Sequence, residues 1–208
     1  MENFEVFLFD FDGTLFDTLD SSIYVFEEAY RRMGVSIDRS SVLRLTREPI
    51  STSYKRIMGN MNNFDKFIEH INELVFSDKV TNMAVIYEDT KSIIKYLKEN
   101  KKIIGIVTSN AKDHLLDVLK RFDLENSFDV IVGNREASTP KPSPIPILKA
   151  LELLNYKDKE KVVYIGDALN DALAAINAGV KPILLDRLHE FGELKDYEII
   201  NSLHEIIG

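Results

Sequence analysis

Asp10 and Asp12 stand two residues apart in Asp10-Phe11-Asp12-Gly13-Thr14-Leu15, and a second acidic pair follows late in the chain in Gly166-Asp167-Ala168-Leu169-Asn170-Asp171. If these carboxylates meet, they repel: two like charges about 4 Å apart cost about 4 kcal/mol at an effective dielectric of 20. Such a cluster needs a divalent cation or a shared proton. A donor set of oxygens without His or Cys points to Mg²⁺, which keeps some of its waters and accepts a phosphate oxygen as a further ligand. Positive charge comes from Lys141 in Ser138-Thr139-Pro140-Lys141-Pro142-Ser143-Pro144. Pro142 keeps Lys141 out of the helical region and Pro140 fixes its own φ, so this lysine sits in a stiff frame; the Lys141-Pro142 bond is a candidate cis peptide. Thr108-Ser109-Asn110 adds hydroxyls and amides of the kind that cap a helix or bind an anion.

These residues follow strands. Val6-Phe7-Leu8-Phe9 is apolar without alternation, as expected for a strand covered on both faces of a parallel sheet. Ligands in such sheets bind beyond the carboxyl ends of the strands. Similar runs end at Val107 and at Ile165, so Asp10, Asp12, Thr108, Asp167 and Asp171 share one sheet edge although distant in sequence. Strands are expected at Ile103 to Val107, Val130 to Val132, Val162 to Ile165 and Pro182 to Leu185. Helices are expected at about Asp89 to Glu99, Ala111 to Arg121, Ile145 to Leu154 and Leu169 to Ala178. This alternation predicts an α/β fold, a doubly wound parallel sheet of Rossmann-like form. Between Phe16 and Met83 the pattern is helical, with helices at about Leu19 to Arg32, Arg39 to Leu45, Ser51 to Met58 and Asn62 to Phe76 and no strong strand. The expected organisation is a core of residues 1–15 and 84–208 carrying an all-helical insertion of residues 16–83.

With 26 Lys and Arg against 34 Asp and Glu, the net charge of −8 gives no general attraction to nucleic acid or anionic membrane. The absence of cysteine removes disulfides, thiolate nucleophiles and thiolate metal sites together. Met1-Glu2-Asn3-Phe4-Glu5 lacks the basic start of a signal peptide, and no apolar run reaches the length of a membrane span, so a cytoplasmic protein is expected. Oligomeric state is not written in the pattern.

The first acidic motif, Thr108 at the end of an apolar strand, Lys141-Pro142 before a helix, and Gly166-Asp167 with Asp171 resemble, in order, the four motifs of the haloacid dehalogenase superfamily. The helical insertion is similar to that family's small helical cap, as in phosphoglycolate phosphatases and β-phosphoglucomutases. The resemblance implies a Mg²⁺-dependent phosphatase acting on a small phosphorylated metabolite. Asp10 would be the nucleophile, forming an aspartyl-phosphate, and Asp12 the acid and base. Mg²⁺ would be held by Asp10, Asp167 and the carbonyl of Asp12; Asp171 would support the metal through water or orient Lys141. Thr108, the amide of Ser109 and Lys141 would hold the transferring oxygens. Members that displace halide lack the second aspartate, so Asp12 favours phosphate chemistry.

Two other readings share these residues. A phosphosugar mutase uses the same nucleophile but returns the phosphoryl group to a sugar. A signalling receiver also combines aspartates, Thr, Lys and Mg²⁺ on a parallel sheet, but carries its acidic pair and its phosphoacceptor on separate strands. In the insertion, Arg47 of Arg47-Glu48-Pro49 is the candidate for a second anionic group of the substrate, weighed against a surface arginine at a helix end. His70, His114, His189 and His204 have no metal-ligand spacing and read as surface or packing residues, and Asp186-Arg187 reads as a solvated loop pair.

Overall fold

A computed structural model describes residues 3–45, 50–137, 139–192, 194 and 196–207. The chain divides into two compact units, Met1–Asp17 with Val85–Gly208, and Thr18–Ala84.

The first unit is built on β1 (Val6–Phe9), β4 (Ile103–Val107), β5 (Val130–Val132), β6 (Val162–Gly166), β7 (Lys181–Leu185) and β8 (Ile199–Ile200). They form one sheet in the order β5-β4-β1-β6-β7-β8, and every neighbouring pair is parallel. The four residues of β1 are all buried, as their unbroken apolar run requires. Helices α6 (Glu88–Glu99), α7 (Lys112–Arg121), α8 (Ile145–Leu153) and α9 (Leu169–Ala178) make the crossovers. Val6, Leu8, Val162 and Tyr164 pack with Ile147, Ala150, Ala174 and Ala175 of α8 and α9 in one cluster. Alternation along β1 then aims Asp10, two residues past Leu8, toward the same side. From β1 the chain fills β4 and β5 on one side and later β6, β7 and β8 on the other. The order reverses between β1 and β6, the kind of switch point beside which open α/β sheets bind their ligands.

Two short strands went unread in the sequence. β2 (Phe16–Asp17) pairs antiparallel with β3 (Val85–Ile86), Phe16 opposite Ile86 and Asp17 opposite Val85. Two-residue strands are too short to show a period. The same holds for β8 and for the 3₁₀ turn Leu203–Ile206.

The second unit contains α1 (Leu19–Arg32), α2 (Arg39–Leu45), α3 (Ile50–Met58), α4 (Phe64–Val75) and α5 (Asp78–Met83), the last also unread. Its core is aromatic. The rings of Tyr30 and Phe67 lie 4.5 Å apart and those of Tyr54 and Phe67 4.9 Å apart, and all three residues are fully buried. Arg32 joins α1 to α4 through Glu73 at 2.8 Å. Among the described residues no helix is long and apolar enough to cross a membrane.

Candidate active site

Asp10 extends the β1–β6 ladder by one bond, its amide donating to the Ile165 carbonyl at 2.8 Å. The chain then turns away at Gly13, whose φ of +76° suits glycine. Space makes the same demand, because a Cβ on Gly13 would lie 2.2 Å from Oδ2 of Asp167. The turn therefore fits closely over the end of β6. Gly166 serves a like purpose: a Cβ there would sit 2.4 Å from Cβ of Asp171, so its absence lets the first turn of α9 fold back onto the strand.

Lys141 joins the two acidic motifs. Its ammonium donates to Asp10 Oδ1 at 2.7 Å, to Asp171 Oδ1 at 2.5 Å and to the Tyr164 hydroxyl at 3.1 Å. The Lys141-Pro142 bond is cis. Asn177 of α9 donates to the Pro142 carbonyl at 3.0 Å, fixing the loop that carries the lysine. Both oxygens of Asp171 are engaged, Oδ1 by Lys141 and Oδ2 by the amide of Ala168 at 3.1 Å. Asp171 thus holds Lys141 with one oxygen while the first turn of α9 holds the other.

Asp10, Asp167 and Asp171 each offer an oxygen within 4.8 Å of the others. The carboxylate of Asp12 is not part of that group. It lies on the side of Asn110, whose side-chain amide nitrogen is 3.5 Å from Asp12 Oδ2. Thr108 is buried, its amide donating to Val132 O at 3.0 Å and its hydroxyl accepting from Asn110 N at 3.1 Å, while Ser109 is exposed. Arg47 lies outside the described residues.

Burial dominates the electrostatics. It pushes the Asp10 carboxyl well up against the pull of Lys141, and the charges of Asp171, Asp167 and Asp12 add to the rise. Burial, then the charge of Asp171, pushes Asp167 up to about 7. Burial opposes the charge of Lys141, yet Asp10 and Asp171 overcome it and hold the ammonium well above its ordinary value. Burial and the charge of Asp171 push the Tyr164 phenol up, so it keeps its proton. Three crowded carboxylates, two of them resisting ionisation, with oxygen donors only, fit a hard divalent cation.

An acid whose pKa rises on folding costs stability as pH rises, here from its ordinary 3.8 through about 7 for Asp167. A cation removes that cost but must compete with the proton below about 7. Mg²⁺ is therefore expected to raise the melting temperature more at pH 8 than at pH 6. Equal shifts at both would contradict the assignment.

Sequence reasoning missed two features. Tyr164 looked like one more apolar residue of β6. Asp186-Arg187, expected in solvent, is largely buried: the side chain of Arg187 is 13% exposed and pairs with Asp89 at 2.9 Å and 3.1 Å. Arg187 also donates to the Thr14 carbonyl at 2.8 Å and lies over the Tyr87 ring. Burial opposes the charge of Asp89, but Arg187, the Leu203 amide and the Ser202 hydroxyl outweigh it and hold the carboxyl below its usual value. The signal lay in partners about a hundred residues away, beyond any local pattern. His114 is a buried helix residue, its pKa lowered by burial, in keeping with the packing role expected.

The sheet reverses its order between β1 and β6, and the ends of these strands bring together Asp10, Asp167 and Asp171 with the buried Lys141 among them, an acid-rich group able to hold a metal. The chain belongs to the haloacid dehalogenase-like hydrolase family, which it matches over residues 7–185. It is 32% identical to the pyrophosphatase PpaX of Halalkalibacterium halodurans over 184 residues, 84% of this chain and 80% of that one. It is likewise 32% identical to the phosphoglycolate phosphatase of Aquifex aeolicus over 187 residues, 86% and 83% of the two chains. A haloacid dehalogenase-like family hydrolase of Streptococcus pneumoniae shares the fold with a TM-score of 0.82 at 21% identity, covering 100% of this chain and 98% of that one.

Proposed function

We propose that this hydrolase is a Mg²⁺-dependent phosphatase that cleaves a small phosphomonoester through an aspartyl-phosphate on Asp10. The observation that carries this reading is Lys141, held at 2.7 Å from Asp10 and 2.5 Å from Asp171 beside the three-carboxylate group. An oxygen of Asp10 attacks phosphorus; the bond to the ester oxygen breaks, and Asp12 gives that oxygen its proton. Asp12 then takes a proton from water as the water oxygen attacks phosphorus. The Asp10–phosphorus bond breaks, inorganic phosphate leaves and the carboxylate is restored. Thr108, the amide of Ser109 and Lys141 hold the phosphoryl oxygens during both displacements. A Mg²⁺ held by Asp10, Asp167 and the carbonyl of Asp12 supplies charge against the repulsion between carboxylate and phosphate.

Choice of ester falls, on this reading, to the helical unit acting as a cap, with Arg47 as its anion-binding candidate. The relatives support phosphorylated substrates as a class, and their names differ in which one. A phosphate-release screen over phosphoglycolate, phosphosugars, nucleotides and pyrophosphate tests the reading. EDTA is expected to stop release and added Mg²⁺ to restore it. Release indifferent to chelation refutes the metal role, and accumulation of an isomeric sugar phosphate without free phosphate replaces the phosphatase by a mutase.

A further inference from the structure

We propose that Tyr164 is a positioning residue for phosphoryl transfer, its hydroxyl keeping the Lys141 ammonium aimed when that ammonium gives up Asp10. The inference rests on the phosphatase reading above.

An ammonium has three N–H donors. Those of Lys141 meet Asp10 Oδ1 at 2.7 Å, Asp171 Oδ1 at 2.5 Å and the Tyr164 hydroxyl at 3.1 Å. All three directions are spent on protein atoms, so the lysine must release one partner before it can donate to a phosphoryl oxygen. Asp10 is the partner that changes in the reaction, because its carboxylate charge is lost when the bond to phosphorus forms. Asp171 and Tyr164 then hold the ammonium between them.

The hydroxyl of Tyr164 has one proton to donate. The Val107 carbonyl lies 2.9 Å away and Asp171 Oδ1 3.1 Å away, and both are acceptors only. With its proton directed to the nearer of these, Val107 O, its lone pairs face Lys141. One oxygen thus links the lysine to the end of β4, a single residue before Thr108. Two members of the proposed phosphate clamp are set against each other through it. Tyr164 as a whole is 1% exposed, in a cluster with Val6, Leu8, Ile147 and Ala174, surroundings in which a hydroxyl is costly unless its partners reward it.

Tyr164→Phe keeps the ring and removes only the oxygen. It should be compared with the wild type in Mg²⁺, using p-nitrophenyl phosphate as substrate and orthovanadate and inorganic phosphate as inhibitors, with melting curves for both proteins. The expected result is a kcat lower by about tenfold, the scale of one hydrogen bond to a charged group. The vanadate Ki should rise by a similar factor, because vanadate mimics the transferring geometry. KM and the phosphate Ki should stay within about twofold. A kcat within twofold of the wild type overturns the proposal, as does a loss carried by KM and phosphate affinity alone. A variant that fails to fold also overturns it, since the hydroxyl would then serve the fold and not the lysine. Failure of the wild type to release phosphate from any ester would instead remove the phosphatase reading itself.

Discussion

Asp10→Asn is expected to lose turnover by about 10⁴-fold or more, the scale seen when a covalent nucleophile is removed. It should still melt within a few degrees of the wild type. The amide has the shape of the carboxylate but no charge with which to attack phosphorus. Stability should survive because Asp10 is not the only anion serving the lysine: Asp171 Oδ1 remains at 2.5 Å. Burial already pushes the Asp10 carboxyl up, so its charge is one the fold resists. Steady-state phosphate release and a thermal melt on the same preparation check both halves. Turnover above about one per cent of wild type would overturn the nucleophile assignment.

Lys141→Met should damage both activity and fold. Methionine replaces the aliphatic stem and removes the charge that lies between Asp10 and Asp171, both almost wholly buried. Breaking a buried ion pair from one side costs about 3–5 kcal/mol, because the partner charges stay behind without compensation. A urea titration of the metal-free variant should show that loss, and added Mg²⁺ should recover part of it by restoring positive charge. Turnover should fall by about 10²–10³-fold, the scale of a lost transition-state donor. An unchanged urea midpoint would mean that the lysine does not balance these carboxylates. Taken together, the two variants separate chemistry from charge balance at one site, since one removes an anion that the fold resists and the other removes the cation that offsets it.

Most of the sheet was legible because its strands are buried on both faces. Val6-Phe7-Leu8-Phe9, Ile103-Ile104-Gly105-Ile106-Val107 and Val162-Val163-Tyr164-Ile165 are apolar without alternation, and the polar residues that interrupt them at one end stand out for that reason. Elements of two to six residues, such as β2, β3, β8 and α5, are too short for a period to show. Asp10, Asp167, Asp171 and Lys141 were legible as a group because each follows or frames a strand end. What the sequence could not show was how Lys141 spends its hydrogens, since that depends on Tyr164 and Asp171 reaching it from residues 23 and 30 positions away. Arg187 was misread for a related reason: an arginine after a strand looks solvated until Asp89, 98 residues earlier, is folded against it.

The β2–β3 ladder has an evolutionary consequence. The chain leaves the sheet-bearing unit at Asp17 and re-enters at Val85, and these two residues face each other across the ladder. Facing residues of an antiparallel pair lie only about 5 Å apart. Residues 18–84 therefore hang from adjacent points, as a cassette whose exchange asks the six parallel strands to move nowhere. If the helical cassette chooses the ester and the strand ends break it, a lineage can change its diet while keeping its chemistry.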